Sequence, residues 1–142
     1  MIALDTNVLA RLVTNDDKAQ ALEAAALIDS GVALFITTTV LLELEWGLRG
    51  AYQLDCATIV RTFEHLLSIR NLSFERQAEV EMALQHYAIG FDFADALHHS
   101  ASLSCAGFAS FDKKFERLAA KAKLKPVVAE PKSFTKLYQA LT

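Results

Sequence analysis

Residues 1–13 read MIALDTNVLARLV. Four apolar residues, Met1–Leu4, end on an acid, Asp5, and a segment of helical period follows at 7–13. A short apolar run closed in this way reads as a buried strand, and the 3.6-residue recurrence after it as an amphipathic helix. The same alternation continues along the chain. Val32–Ile36 (VALFI) reads as a second strand, Ile69–Phe74 (IRNLSF) as a third, Gly107–Ser110 (GFAS) as a fourth and Pro126–Val128 as a fifth. Helical periodicity fills about 17–29, 39–50, 55–67, 75–89, 93–105 and 113–123. A last helix opens at Pro131, a residue whose missing N–H costs nothing at a first helical position. Strands alternating with helices predict a mainly parallel sheet covered on both faces. In such sheets polar sites gather at the carboxyl ends of the strands.

The bulk properties fit that pattern. A chain of 142 residues can bury a substantial core, and 53% hydrophobic against 22% charged residues excludes a disordered polyelectrolyte. The first residues lack a basic n-region and reach Asp5 too soon for a signal peptide. No apolar run approaches the roughly 20 residues that span a bilayer. Cys56 and Cys105 have neither zinc spacing nor a disulfide framework, so they read as buried thiols of a reducing cytosol. The net charge of −3 hides a split: residues 1–111 carry 6 Lys/Arg against 14 Asp/Glu, and residues 112–142 carry 8 against 3. An acidic body with a basic end fits an acid-lined site beside a surface that attracts a polyanion, and equally a solvated basic helix face.

Four acids stand where the parallel sheet would collect them. Asp5 ends the first strand, and Glu43 lies early in the helix after the second. Asp95 sits in the first turn of the helix opened by FDFADA, and Asp112 follows the fourth strand. Two carboxylates about 4 Å apart repel by about 4 kcal/mol at an effective dielectric near 20. A cluster of four therefore shifts its pKa values or recruits cations. Hard ions with oxygen ligands, Mg²⁺ or Mn²⁺, suit such a set, and one or two of them can drive phosphodiester hydrolysis.

Each acid also has a local reading. Asp92 is placed to cap the helix, with Asp95 at its third position favouring the dipole, and Asp112 can cap the helix that begins KKFERL. For Asp5 the cap and site readings balance. Glu43 and Glu45 flank the stripe Val40, Leu41, Leu44 and Leu48 on opposite sides, and periodicity cannot choose between them. Arg49, four residues on, gives Glu45 a surface ion pair, which leaves Glu43 as the better site candidate. His98 and His99 read as surface or core histidines rather than metal ligands.

In combination, MIALDTNVLARLV, TTTVLLELEWGLRG, DFADALHHSAS and SFDKKFERLA resemble the PIN-domain ribonucleases, and among them the VapC-like toxins of type II toxin–antitoxin systems. The resemblance spans essentially residues 1–142 as a single PIN domain. It implies a three-layer α/β/α fold with a mainly parallel five-stranded sheet, a carboxylate pocket for Mg²⁺ or Mn²⁺, and endonucleolytic cleavage of RNA. Matched position by position, the acidic quartet falls on Asp5, Glu43, Asp95 and Asp112. Asn7 and Ser110 match auxiliary polar positions, and Asp92 stands where acids are frequent, capping the helix while Asp95 points into the pocket.

On this reading Lys113, Lys114 and Arg117, with Arg11 and Arg49, contact RNA phosphates and position the strand without reading sequence. Leu42 and Trp46 lie away from the apolar stripe of their helix, followed by Tyr52 and Leu54. The resemblance implies that this region receives a VapB-like antitoxin and that the chain is a cytoplasmic homodimer. Two other folds fail on particular residues. A haloacid-dehalogenase phosphatase needs an acid at position 7, which is Asn, and a receiver domain needs an aspartate after the third strand, where only Glu75 stands. A PIN nuclease of RNA maturation or decay, and a PIN-like module that binds RNA or protein without cutting, remain as alternatives.

Overall fold

The structure, a computed structural model, describes residues 1–141 apart from the side chain of Leu137. In chain order the elements are β1 (Ile2–Ala3), α1 (Thr6–Thr14), α2 (Lys18–Asp29), β2 (Leu34–Ile36), α3 (Thr38–Gly50), α4 (Cys56–Ser68), β3 (Leu72–Phe74), α5 (Gln77–Ala88), α6 (Phe93–Ser100), β4 (Phe108–Ala109), α7 (Lys113–Lys121), β5 (Val128–Ala129) and α8 (Pro131–Leu141). This is the expected α/β alternation, and every strand pairing is parallel.

Hydrogen bonding divides the five strands into two groups among the described residues. One has the order β1-β2-β3, with Ile2 opposite Leu34 and Phe35 opposite Ser73, and the other pairs β4 with β5. Central β2 buries Leu34 and Ile36 completely. β1, expected to be buried, is instead an edge strand with Ile2 47% exposed, and only Leu4 beyond it enters the core. An edge strand of two residues is covered on fewer sides than the period of its sequence can report.

The core joins β2 to the inner faces of the helices. Leu41, Leu44 and Leu48 of α3 pack with Ile59, Phe63 and Leu66 of α4 and with Phe93 and Ala96 of α6. The Phe63 and Phe93 rings lie 5.4 Å apart, and Tyr87 meets Phe93 edge-on at 5.2 Å. Helix starts are set by side-chain caps: Asp5, Asp17, Thr37, Asp55, Asp92 and Asp112 each accept a backbone N–H of the turn they open.

α6 stops at Ser100, five residues short of the expected end. The Ser100 and Ser102 hydroxyls donate back to the carbonyls of Leu97 and His98, and such bonds compete with helix continuation. The cysteines also differ from expectation, since both are exposed. Cys56 opens α4 beside its cap, its thiol reaching only the Tyr87 carbonyl of α5 at 3.4 Å, and Cys105 lies in the turns after α6. At Gly107 a Cβ would overlap the Phe134 ring, so α8 packs directly on the backbone leading into β4.

Candidate functional site

Asp5 follows β1 and caps α1 with extended backbone (φ −79°, ψ 158°), its Oδ1 accepting the Thr6 N–H at 2.7 Å. The carboxylate is exposed, and Asn7 is exposed in the first turn after it. Thr37 follows β2 directly and caps α3, the helix that carries Glu43. A second acid steadies that start: Glu75, directly after β3, accepts the Thr38 N–H at 2.9 Å and is thereby held below its usual range. Asp5, Thr37 and Glu75 thus mark the carboxyl ends of three adjacent parallel strands.

Glu43 is exposed on α3 and lines a cavity of about 410 Å³ together with Glu45, Trp46, Arg49 and Asp92. Asp92 caps α6, accepting the Asp95 N–H at 3.1 Å. Asp112 caps α7, accepting the Phe115 N–H at 3.1 Å, while its own N–H donates to Ser110 Oγ at 3.0 Å. Ser110 is anchored in turn by its N–H to the Ala129 carbonyl.

Asp95 ties these pieces together. Its carboxyl is half-buried and is raised above the ordinary value of 3.8, first by burial and then by the negative charges of Asp92 and Asp112. Three acids from the starts of α6 and α7 therefore share one electrostatic environment, and a carboxylate kept there ionised asks for a cation. Among the described residues no three acidic, histidine or cysteine side chains stand close enough to form a ready-made metal cage. The structure couples Asp95 to Asp92 and Asp112 and joins Glu43 to Asp92 across a cavity, while Asp5 stands apart from these contacts, directly after the edge strand β1.

Residues 2–121 match the PIN domain family. The chain belongs to that family. Neither the curated proteins nor the solved structures compared with it include a significant match. A PIN domain is a nuclease-type fold, and the α/β alternation with parallel strands described above agrees with it. No helix among the described residues is long and apolar enough to cross a membrane.

Within this PIN domain, Glu45 departs from the sequence reading. Expected in a surface ion pair, it is 2% exposed, and Arg49 Nε donates to both of its oxygens at 3.0 and 3.4 Å. Burial first, and the Glu45 charge second, push the phenol of neighbouring Tyr87 far above its ordinary value. Both glutamates line that cavity, but Glu45 is buried against the packed side of α3 while Glu43 is exposed.

Several cations read as phosphate contacts are already engaged. Arg11 forks onto Asp16 at 2.9 and 3.1 Å and donates to Gln20. Lys113 pairs with Glu130 and lies 3.7 Å from Glu116. Lys114 and Arg117 are exposed on α7. Of the residues read as a partner face, Trp46 is 69% exposed, whereas Leu42, Tyr52 and Leu54 are half-buried against the core. The Tyr52 hydroxyl donates to Asp16 at 2.7 Å, which helps hold that carboxyl below its usual range. Sequence reasoning missed this Asp16 junction and the Glu75 brace on α3. For Glu75 a signal existed, an acid directly after a strand, but its partner lies 37 residues away.

Proposed function

We propose that the chain, residues 1–142 as one PIN domain, is a metal-dependent endoribonuclease of the VapC-like toxin type. The observation that carries this reading is the half-buried Asp95 carboxyl, raised by burial and by facing Asp92 and Asp112 in a PIN domain. A set of oxygen donors, with no thiol or imidazole cluster among the described residues, suits Mg²⁺ or Mn²⁺. Asp5, Glu43, Asp95 and Asp112 would hold the ion, which supplies activation of water and stabilisation of the departing oxygen. Ser110 and Asp92 orient this set, Ser110 fixing the backbone of Asp112 and Asp92 that of Asp95, and Asn7 adds a polar group in the turn after Asp5.

Hydrolysis forms a bond from water oxygen to phosphorus and breaks the bond to one ribose oxygen, which leaves with a proton. Lys114 and Arg117 hold flanking phosphates. Lys113 and Arg11 reach phosphate by exchanging their present carboxylate partners, and Arg49, half-exposed, reaches it while its Nε stays on buried Glu45. Binding is then strongly salt-dependent. A VapB-like antitoxin covers the face around Trp46, with Leu42, Tyr52 and Leu54 beneath it, and the protein works as a cytoplasmic homodimer.

The test is cleavage of total RNA by purified protein with Mg²⁺ or Mn²⁺, with EDTA, and with Asp5→Asn. Discrete fragments that vanish in both controls support the reading. Cleavage that persists in either control overturns it. RNA binding without cleavage, in protein refolded free of any co-purified inhibitor, turns the assignment to a binding module.

A further inference from the structure

The segment FASFDKKF, residues 108–115, contains three phenylalanines with two fates. Phe108 and Phe115 pack edge-to-face at 5.5 Å, and Phe115 is 3% exposed. Phe111 lies between them in sequence and is 81% exposed, the most exposed aromatic ring in the described chain. Its backbone is fixed on both sides. The Ser110 N–H is bonded to the Ala129 carbonyl, the Asp112 N–H to Ser110 Oγ, and the Asp112 carboxylate to the start of α7. A rigid loop thus holds a large apolar ring in water between two residues of the candidate site.

Isolated exposed apolar residues are common and need no function. The setting of Phe111 distinguishes it. In sequence it is followed by three charged, exposed residues, Asp112, Lys113 and Lys114, so it is a single ring rather than part of an apolar run. It stands one residue from a carboxylate that acts on Asp95, with cations immediately after it. Single-stranded nucleic acid is held by this combination of an aromatic face for the base and basic groups for the backbone.

We infer that Phe111 is a stacking platform for one unpaired base of an RNA strand, adjacent to the phosphate presented to the carboxylates. The inference rests on the ribonuclease reading above and extends it to a subsite. Stacking on a ring tolerates any base, so Phe111 contributes affinity and register rather than sequence choice. The strand must be unpaired at that point, because a base inside a duplex offers no free face.

The experiment uses a short single-stranded RNA spanning a cut site mapped on total RNA with the wild-type chain, carrying 2-aminopurine at successive positions. Phe111→Ala is expected to weaken binding about 5- to 100-fold. It should raise KM far more than it lowers kcat, and should relieve 2-aminopurine quenching at one position next to the cut. Phe111→Trp restores all three, whereas Phe111→Leu, apolar but without a ring, does not. An unchanged melting temperature in Phe111→Ala excludes a folding defect. Full activity in Phe111→Leu overturns the inference while leaving the nuclease reading intact, as does loss of self-association with RNA binding unaltered. A wild-type chain that neither binds nor cuts RNA removes both.

Discussion

Arg49 Nε lies 3.0 Å from Glu45 Oε1, and this contact separates two glutamates that sequence alone left nearly equivalent. Glu45 has its charge matched inside the packed face of α3, while Glu43, two residues earlier in the same cavity, is exposed to solvent. Arg49→Ala, which leaves a buried carboxylate without its donor, is expected to destabilise the fold by about 1–3 kcal/mol in urea titration. Glu43→Gln should change stability by no more than about 0.5 kcal/mol and still lose RNA cleavage. The reverse pattern, with Glu43→Gln active and Glu45→Gln inactive, would transfer the site role to Glu45.

Asp95 carries a cost in the folded protein. A carboxyl raised by burial and by like charges favours the folded state only below its unfolded value, and that contribution is lost as pH rises through the folded value. At neutral pH the ionised group is therefore destabilising. Asp95→Asn should abolish cleavage and raise the melting temperature by a few degrees. Mg²⁺ or Mn²⁺ should stabilise the wild type by about 2.7 kcal/mol at a hundred times the dissociation constant, and the variant much less. A melting temperature that falls in Asp95→Asn would contradict the repulsion described here.

Asp112 combines two roles that substitution can separate. As a cap it accepts the Phe115 N–H, a task asparagine performs nearly as well, whereas alanine costs about 0.5–2 kcal/mol. Asp112→Asn should keep wild-type stability in thermal melts and lose cleavage, because only the charge is removed. Asp112→Ala should lose both. Retained cleavage in Asp112→Asn would reduce this acid to a helix cap.

His86 gives the fold a dependence on pH. Burial first, and His99 second, lower its pKa from the ordinary 6.5, and its Nδ1 is buried without a hydrogen-bond partner among the described residues. The unfolded chain takes up a proton near 6.5 while the folded one resists it. Stability is therefore full above that value and declines as pH falls toward the folded value, by no more than about 1.4 kcal/mol per pH unit for one proton. Urea midpoints at pH 7.5 and 5.5 should differ, and His86→Phe, which keeps a ring against Phe91 at 5.4 Å, should narrow the difference. An equal difference in that variant would assign the pH response to other groups.

The order of strands and helices, the Asp92 and Asp112 caps and the Leu41/Leu44/Leu48 stripe were legible because they depend on residues within a turn or two of one another. The acids of the candidate site were legible as positions, each at a strand end or a helix start. Tertiary structure decided the rest. It sank Glu45 into the packed side of α3, left β1 at an open edge, and exposed both cysteines. It also engaged Arg11 and Lys113 with carboxylates, and reached from Thr38 to Glu75 and from Tyr52 to Asp16 across 37 and 36 residues. Period and propensity report which way a side chain faces its own helix or strand. What covers that face, and which charge waits there, is set by elements distant in sequence.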